Sequence, residues 1–425
     1  MHSRSGSPRL GVVYDDGAAG PGEIAAAARA CGAALFLVVD QSSAHVAQLL
    51  PGLRGRFELC DVSGLTAAGA AKEVAARAPD GLLTFSEHRL AETGELADAL
   101  GLTRWHSPRT TRRLTDKLLQ RQLFAAAGVD TTRCVPVTDP AGAAAAAAEV
   151  GPPVVLKPRT GTGSRSVRRA DGPAEAERLA ADFFRTAPAG AVLLVESLLT
   201  GAPQEAGPDW GDYVSVETAV HDGARQLLCI TGKFPLEEPF RERGSFVPHT
   251  LRAPTAERVR ALADAAVEAL GVRDGVVHTE VKLTPDGPRV IEVNGRVGGL
   301  VVDLLRRGAG YDVVEAALLL ALGRPAPAVP RFDQVTYQYA LVPPAGARGL
   351  LEVGPLDRLR ALPGVDLVDV RGRPGQPLDW RAGAADRLGR LYGRVPDHAA
   401  LGRLTAAIPE AFRPTFTYTH ERGSR

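Results

Sequence analysis

The stretch that decides the fold runs from residue 278 to residue 299 and reads His278-Thr-Glu-Val-Lys-Leu-Thr-Pro-Asp-Gly-Pro-Arg-Val-Ile-Glu-Val-Asn-Gly-Arg-Val-Gly-Gly299. Apolar and polar residues alternate on both sides of a turn at 284–288, which predicts a β-hairpin. If the two strands pair symmetrically about Asp286, Glu280 lies opposite Glu292, with their Cβ atoms roughly 4.5 to 5.5 Å apart. Two facing carboxylates repel each other, so the hairpin predicts a cation that neutralises them.

An amide and an arginine follow the second of these carboxylates. Asn294 completes a set of oxygen ligands with Glu280 and Glu292, and such a set suits Mg²⁺ or Mn²⁺ better than zinc. Arg296 then adds a fixed cation, and the glycines around it let backbone N–H groups approach an anion. The glutamates alone would equally fit a solvated strand face, but the four residues together predict a metal-phosphate site.

The composition sets broad limits on the fold and the partners. The chain has 425 residues, 45% of them hydrophobic, and a net charge of +1, so it can bury a large core in two or three domains. It contains no basic tail, no apolar run of membrane-spanning length and no signal-peptide core at its start. We therefore expect a cytoplasmic protein that binds neither nucleic acid nor membrane. Its four scattered cysteines predict buried free thiols and no zinc site.

The first hundred residues alternate short apolar runs with alanine-rich helical segments. The apolar runs at residues 10–15, 34–40 and 81–85 are typical of parallel strands joined by helices. This pattern predicts a Rossmann-like start. The glycines after the first run miss the G-x-G-x-x-G spacing, so they indicate a plain strand-to-helix turn.

Two lysines and a glycine-rich loop follow. Lys117 lies in a predicted helix at residues 110–128, and Lys157 ends a short apolar strand. Gly161, Gly163 and Ser164 come next, in a loop whose backbone N–H groups can cover phosphates. Since the lysine precedes the glycines, this is no Walker A motif.

A buried acid interrupts the next apolar strand. Glu196 is the one charge within residues 191–199 and needs a partner there. An adenine amino group or a structural arginine would each serve. Further on, the segment 232–249 mixes acids, bases and aromatics in a loop, where substrate contacts commonly collect.

The order of these parts resembles the ATP-grasp superfamily over about residues 80 to 325. The matching pieces are Asp116-Lys117, Val-Val-Leu-Lys157-Pro, the Gly161-Thr-Gly-Ser loop, Leu-Val-Glu196, His278-Thr-Glu280 and Ile-Glu292-Val-Asn294-Gly-Arg296. Further pieces are most similar to bacterial L-amino acid ligases, which form dipeptides. These are Tyr213-Val-Ser-Val-Glu217, Lys233-Phe-Pro, Glu242-Arg-Gly244 and the strand-rich tail.

The resemblance implies an α/β (α+β) chain with the ATP-grasp fold. It implies a Rossmann-like N-terminal domain over residues 1–108 and an ATP-grasp domain over 109–328, with a mobile lid at about 153–200. A small strand-rich C-terminal domain would follow over 329–425. Related enzymes also make a homodimer one assembly to expect.

The same resemblance implies an ADP-forming carboxylate-amine ligase. Such an enzyme phosphorylates the carboxylate of an amino acid with ATP, and an amine or second amino acid then attacks the acyl phosphate. Two Mg²⁺ ions would serve, with Mn²⁺ able to substitute, held by Glu280, Glu292 and Asn294, and Arg296 would be catalytic. ATP would be bound by Lys117, Lys157, Gly161, Gly163, Ser164, Glu196 and the Leu198 backbone. The substrate would be bound by Glu217, Glu242, Ser245 and Gly299.

The chain departs from the family pattern at two places. Ser245 stands where dipeptide ligases often have histidine, and His249 is out of register, which leaves recognition of the first substrate open. A Gly/Pro-rich insertion lets either Glu205 or Asp212 be the acid that binds ribose. Two other functions remain as alternatives, an ATP-dependent carboxylase that uses bicarbonate and a nucleotide-binding regulatory protein without turnover. The complete metal and arginine set argues against the regulatory protein.

Overall fold

The first part of the chain alternates strands and helices. In the computed structural model, which describes residues 6–418, its elements are β1 (Arg9–Val13), α1 (Pro21–Ala30), β2 (Ala34–Val39), α2 (Ala44–Leu53), β3 (Glu58–Asp61), α3 (Ala67–Ala75), β4 (Gly81–Leu83) and α4 (Leu90–Ala99). The four strands form one parallel sheet in the order β3-β2-β1-β4. Parallel strands need crossover connections, and the helices between them provide these. The predicted Rossmann-like arrangement is present, with β3 as an additional strand.

A second, smaller sheet follows. Its surroundings comprise α5 (Pro108–Thr115), α6 (Lys117–Ala126), β5 (Cys134–Val137), α7 (Pro140–Val150), β6 (Val154–Pro158), β7 (Arg168–Ala170), α8 (Pro173–Phe184) and β8 (Leu193–Ser197). The strands pair antiparallel in the order β5-β8-β6-β7. Helices α7 and α8 close an apolar core of their own against this sheet. The lid predicted at about residues 153–200 includes most of the elements of this sheet and its helices. The sheet itself begins earlier, at β5.

The third sheet is the largest and carries the predicted hairpin. Its first half comprises β9 (Tyr213–His221), β10 (Ala224–Lys233), β11 (Gly244–Val247), α9 (Ala253–Ala269), β12 (Gly275–Thr284), β13 (Gly287–Asn294), α10 (Val301–Ala309) and α11 (Val313–Ala321). The remaining elements are β14 (Val335–Leu341), β15 (Ala347–Glu352), α12 (Leu356–Arg360), β16 (Val365–Val370), β17 (Gly389–Val395), α13 (His398–Ala411) and β18 (Thr415–Tyr418). Eight strands form one sheet in the order β13-β12-β9-β10-β11-β14-β17-β16, and β15 pairs with β18.

The two faces of the eight-stranded sheet differ in polarity. One face is apolar and packs under α9 and α13 through two buried clusters. The opposite face carries polar residues that the strand register places side by side. Glu280 pairs with Glu292 and with Ser215, and Ser215 pairs with Thr231. Since side chains alternate between faces, Lys233 follows Thr231 on the polar face. This face therefore positions the candidate site.

The helix predicted over residues 110–128 is divided in the structure, and so is the helical stretch that follows the hairpin. The helix expected over 110–128 breaks at Asp116, whose backbone is extended (φ −106°, ψ 100°). The Asp116 carboxylate accepts hydrogen bonds from the backbone N–H groups of Leu118 and Leu119 and so caps α6. The helix after the hairpin divides at Gly310, which has a φ of 63°. The first break has a functional result, because it places Lys117 at the first position of a new helix.

The predicted boundary between the ATP-grasp domain and the C-terminal domain divides the eight-stranded sheet. Strands β14, β16 and β17 lie in the predicted C-terminal domain, yet they continue the sheet that contains the hairpin. Residues 1–5 and 419–425 of the predicted terminal domains lie outside the described residues. All four cysteines are free thiols, and three are buried. No helix between residues 6 and 418 combines the length and apolar character needed to cross a membrane.

Candidate active site

The hairpin has the predicted register at its polar end. His278 lies opposite Asn294, and Glu280 lies opposite Glu292. The register shifts by one residue just beyond Glu280, so the symmetry does not extend to the turn. The expected pair of facing carboxylates is therefore confirmed.

Glu292 has two polar partners at this edge of the sheet. Lys117 Nζ lies 3.2 Å from Glu292 Oε2, and Asn294 Nδ2 donates a hydrogen bond of 3.1 Å to Glu292 Oε1. Burial alone would raise the pKa of Glu292, but the charges of Lys117 and Lys157 outweigh it and lower that pKa to about 2. The side chain is thus an anion at neutral pH, as a metal ligand must be.

The donor chemistry of the predicted metal set fits Mg²⁺. Glu280 is 30% exposed and Glu292 is 18% exposed, so both carboxylates can be reached from solvent. Between residues 6 and 418, no group of three or more His, Cys, Asp or Glu residues is arranged to hold a metal ion. The assignment therefore rests on two carboxylates and the Asn294 amide, which are oxygen donors of the kind that a hard cation prefers.

Glu217, which the sequence predicts to bind substrate, contacts one residue of the hairpin and one residue of the turn that follows it. Its side chain has no exposed surface, and His278 Nδ1 is hydrogen-bonded to its Oε1. The backbone N–H of Gly298 donates to its Oε2 at 3.1 Å. Both oxygens therefore have partners within the protein, and substrate contact by Glu217 would require one of these hydrogen bonds to be shared or replaced. Glu217 fixes the hairpin to the turn that contains Arg296.

Gly298 is required by this arrangement, and replacing it should destabilise the protein. A Cβ at residue 298 would lie 2.6 Å from His278 Nδ1 and 2.8 Å from Glu217 Oε1, and neither buried side chain can move aside freely. We expect Gly298→Ala to lower the free energy of unfolding by about 1–3 kcal/mol, the usual effect of overpacking. Chemical denaturation measures this. Gly299→Ala is the matched control, because a Cβ there meets nothing within 4 Å. Equal stability of the two variants would contradict the prediction.

Glu196 is held by protein cations. Arg121 binds its two oxygens at 3.1 and 3.0 Å, and Lys157 Nζ lies 2.9 Å from Oε2. Burial would raise the pKa of Glu196, but these two cations lower it to about 2. The structural arginine is thus present, and the carboxylate is not free to pair with adenine through its side chain. The predicted Leu198 contact is also engaged, since its N–H lies 3.3 Å from the Pro153 carbonyl.

The cluster of Glu196, Arg121 and Lys157 supports the predicted role of Lys157 as a phosphate ligand. Glu196 contacts both cations, and the second carboxylate near Arg121, Asp130 at 4.0 Å, is itself paired with Arg289, so the cluster keeps an excess of positive charge. Burial lowers the pKa of the Lys157 ammonium, and the neighbouring Arg121 charge adds to this effect. An anion such as phosphate would offset both the desolvation of the Lys157 ammonium and its repulsion by Arg121. Lys157 and Lys117 therefore remain the predicted phosphate ligands.

The glycine-rich loop lies against the C-terminal part of the chain. Gly161 accepts a 2.7 Å hydrogen bond from Lys117 Nζ, and Gly163 accepts one of 3.1 Å from the Ala384 N–H. Gly161, Gly163 and Ser164 all have positive φ. A Cβ at Gly383 would lie 2.2 Å from the Gly163 oxygen, so only glycine allows this close approach. The loop thus lies next to the Lys117 end of the site, as predicted.

Arg296 pairs with a residue that sequence reasoning missed. Its Nε lies 3.1 Å from Glu87 Oε2, and both side chains are nearly buried. Burial raises the pKa of Glu87, although Arg296 and Lys117 oppose that rise. Glu87 follows β4 at the carboxyl edge of the parallel sheet, where ligands of such sheets commonly bind. The position of Glu87 just after β4 was the sequence signal that could have identified it as a site residue.

His106 contacts the glycine turn that follows the hairpin. Its Nε2 lies 2.9 Å from the Gly295 carbonyl, and its Nδ1 is buried without a hydrogen-bond partner among residues 6–418. Burial lowers the pKa of His106 to about 4. The neutral ring therefore donates from Nε2, and a proton on Nδ1 would be buried without solvation.

This histidine should make stability fall in mild acid. The unfolded chain protonates His106 near pH 6.5 and the folded chain only near pH 4, so the unfolded state binds more protons between these values. The free energy of unfolding should then decrease by about 2–3 kcal/mol from pH 7 to pH 4 through this group. His106→Gln should lose that dependence in denaturation measured across the range, and the exposed His88→Gln should keep it. Parallel profiles for wild type and His106→Gln would refute this assignment.

Glu242 and Ser245 lie together at the far end of the polar face. Lys233 Nζ lies 2.5 Å from Glu242 Oε1, and Ser245 Oγ donates to the same oxygen at 3.4 Å. Ser245 is only 1% exposed and contacts Glu242, so its predicted substrate contact would act through Glu242. Glu242 is 29% exposed, and Gly299 is exposed, so both stay candidates for substrate contact.

The two candidate ribose acids each have a partner. Glu205 accepts a 2.9 Å hydrogen bond from Thr255, and Asp212 accepts one of 2.6 Å from Lys282. Both are partly exposed, at 30% and 26%. The structure therefore favours neither.

Comparisons with known proteins agree with this geometry. Residues 150–303 match the model of the ATP-grasp domain family. The uncharacterized protein y4rH of Sinorhizobium fredii is 29% identical over 331 residues, which are 75% of this chain and 65% of that protein. Alanine–anticapsin ligase of Bacillus subtilis is 28% identical over 265 residues, or 58% of this chain and 55% of the ligase. The chain thus spans less than two thirds of these relatives.

The fold also matches solved structures. The crystal structure of an L-amino acid ligase from Bacillus licheniformis superimposes with a TM-score of 0.77 at 19% identity, covering 97% of this chain and all of the ligase. A likeness at this identity concerns the fold, and it confirms the fold class that the sequence predicts. The chain therefore has the ATP-grasp fold with an ATP-grasp domain at residues 150–303, and it is similar to bacterial L-amino acid ligases.

Proposed function

We propose that this protein is an ADP-forming carboxylate-amine ligase that activates an amino acid as an acyl phosphate. The observation that carries the proposal is the pair of facing carboxylates, Glu280 and Glu292, with Lys117 Nζ 3.2 Å from Glu292. This arrangement can hold a divalent cation next to a positively charged group beneath a glycine-rich loop. It is the chemistry that phosphoryl transfer requires, namely positioning and neutralisation of phosphate charge.

The metal would be held by Glu280, Glu292 and the oxygen of Asn294, as two Mg²⁺ ions or their Mn²⁺ substitutes. Bound there, it would supply neutralisation of the negative charge on the ATP phosphates. The Asn294 amide now donates to Glu292, so it would turn its oxygen toward the ion. Lys117 and Lys157 would hold phosphate oxygens, and the glycine-rich loop would exclude water above them.

The reaction consists of two displacements. A carboxylate oxygen of the donor forms a bond to the γ-phosphorus, and the bond to ADP breaks. An amine then forms the C–N bond, the C–O bond to phosphate breaks, phosphate leaves with the electron pair, and the proton of the amine passes to solvent. Arg296, held by Glu87, would stabilise the negative oxygen of the tetrahedral intermediate.

Product analysis after incubation with ATP and Mg²⁺ tests this proposal. The protein is supplied with pooled amino acids and amines, with bicarbonate alone, or with neither. We expect ADP and phosphate only with the pooled amino acids and amines, together with a new amide detected by mass spectrometry. ADP with bicarbonate alone would instead identify an ATP-dependent carboxylase. AMP and pyrophosphate would reject the acyl-phosphate mechanism, and no turnover in any arm would reject the ligase.

A further inference from the structure

A short helical segment of the C-terminal region lies against the glycine-rich loop. It spans Trp380–Ala385, between β16 and β17, where the sequence shows no chemical motif. Leu378, just before it, is buried in the core under the large sheet, and its N–H donates to the Arg348 carbonyl at 2.9 Å. Strand β17 begins soon after it, at Gly389. The segment is therefore attached to the large sheet at both of its ends.

The glycine-rich loop at residues 161–166 has few side-chain neighbours of its own. Gly161 and Gly163 are exposed, and a Cβ added to either would meet nothing within 4 Å. The backbone of the loop is instead reached by two donors, Lys117 Nζ at the Gly161 oxygen and the Ala384 N–H at the Gly163 oxygen. One of these donors belongs to the candidate site and the other to the C-terminal segment.

Trp380 adds a side-chain contact between the segment and the strand that follows the loop. The guanidinium of Arg168 lies 4.8 Å from the centre of the Trp380 ring, and that of Arg381 lies 4.7 Å from it. A cation within about 6 Å of an indole ring is attracted by the quadrupole of the ring. Arg168 begins β7 and pairs with Leu156, the neighbour of Lys157. The ring therefore contacts the end of the loop next to a predicted phosphate ligand.

Arg168 depends on this ring more than an exposed arginine would. No carboxylate among residues 6–418 lies within ion-pair distance of its guanidinium. Burial lowers the pKa of Arg168, and the charge of Arg381 lowers it further, against smaller opposing effects of Asp379 and Asp182. Cation–π attraction is stronger where water is removed from the cation. The half-buried Arg168 is therefore stabilised by the Trp380 ring.

We propose that Trp380 is a positioning residue, which holds the glycine-rich loop in the place where the loop covers the phosphates of ATP. The identity of the covered ligand rests on the proposed function, whereas the docking of the loop on the segment does not. Gly161, Gly163 and Ser164 all have positive φ, and the glycines carry no side chain that could fix the loop. Its position must then come from what it touches, and removing the ring should release it.

Limited proteolysis measures the docking directly. Arg165 is an exposed trypsin site within the loop, and a Cβ at Gly383 would lie 3.1 Å from its backbone nitrogen. We expect Trp380→Leu, without nucleotide, to raise the initial rate of cleavage after Arg165 roughly fivefold or more, as expected when a cation–π contact is lost and the open form becomes more populated. Mass spectrometry of the first fragments identifies the cleaved bond.

Three further variants separate the ring contact from a general loss of structure. Trp380→Phe keeps an aromatic face, so its cleavage rate should stay within about twofold of the wild type. Arg168→Gln should behave like Trp380→Leu. Arg169→Gln is the matched control on the same strand, because Arg169 is exposed and pairs with Asp171 at 2.7 Å. Thermal unfolding of each variant monitors the fold as a whole.

The same variants show whether the docked loop acts on ATP. Binding of a non-hydrolysable ATP analogue with Mg²⁺ is measured by calorimetry. We expect its dissociation constant to rise roughly threefold or more in Trp380→Leu and Arg168→Gln, because the loop is then docked in a smaller fraction of molecules. Trp380→Phe and Arg169→Gln should bind it like the wild type. Neither Trp380 nor Arg168 is a predicted ATP ligand, so the change reports the position of the loop.

The outcomes separate this inference from the proposed function. Equal rates of cleavage after Arg165 in the wild type and Trp380→Leu would overturn the docking, whatever the protein catalyses. An equal increase in Trp380→Phe would overturn the aromatic face as its cause. Faster cleavage with unchanged affinity for the analogue would overturn the role toward ATP. Wild-type protein that does not bind the analogue would reject the proposed function, and the cleavage rates would still decide the docking.

Discussion

Replacing Glu292 by glutamine should reduce turnover of ATP at least 10³-fold while the protein stays folded. The carboxylate faces Glu280 and lies 3.2 Å from Lys117, so it is the residue that joins the metal ligands to the phosphate-binding lysines. A metal ion stabilises phosphoryl transfer by several kcal/mol, and about 4 kcal/mol corresponds to roughly 10³-fold in rate. ADP release under saturating Mg²⁺ measures the effect.

The fold should tolerate this change because the carboxylate pair is itself repulsive. Removing one charge of the pair relieves Glu280, which offsets the ion pair that Lys117 loses. We expect a melting temperature within a few degrees of the wild type. Glu268→Gln is the matched control, because Glu268 is 70% exposed and pairs with Arg225 away from the site. Turnover near the wild-type rate in Glu292→Gln would remove Glu292 from the metal set.

The hairpin and the polar face that carries the candidate site could be predicted because the sequence patterns that indicate them are local. Strand alternation and a turn rich in proline and glycine fix which residues oppose each other, and Glu280 does oppose Glu292. The break at Asp116 also had a local signal, since aspartate is a preferred N-cap. The regular spacing of leucines across the break concealed it, although the buried residues of α6 are Gln120, Arg121 and Phe124 and its leucines are only half-buried.

The contacts that hold the site residues in place could not be predicted in this way. Arg121 and Glu196 are 75 positions apart, and nothing near either residue identifies the other as its partner. The motif of Glu217 resembles that of a substrate ligand, but only the pairing of β9 with β12 in the sheet shows that both its oxygens have partners within the protein.

Arg296→Gln should lower kcat by about 10²–10³-fold with little change in KM for ATP. Removing one donor to a developing oxyanion raises the barrier by roughly 3–4 kcal/mol, and Arg296 is the cation that the glycine turn presents beside the metal ligands. Steady-state kinetics with a donor found by the product analysis measures this. A large rise in KM for ATP with kcat preserved would instead make Arg296 a nucleotide-binding residue.

Glu87 should act through Arg296, and a double-mutant cycle can show whether it does. Glu87 Oε2 lies 3.1 Å from Arg296 Nε, and the arginine is otherwise held by one hydrogen bond to the Val297 carbonyl. Glu87→Gln alone should therefore lower kcat about tenfold by letting the guanidinium move. If the only role of Glu87 is to position Arg296, the double variant should be no slower than Arg296→Gln alone. Additive losses would mean that Glu87 has an independent role, and Lys117, whose pKa it helps to raise, would be the partner to examine.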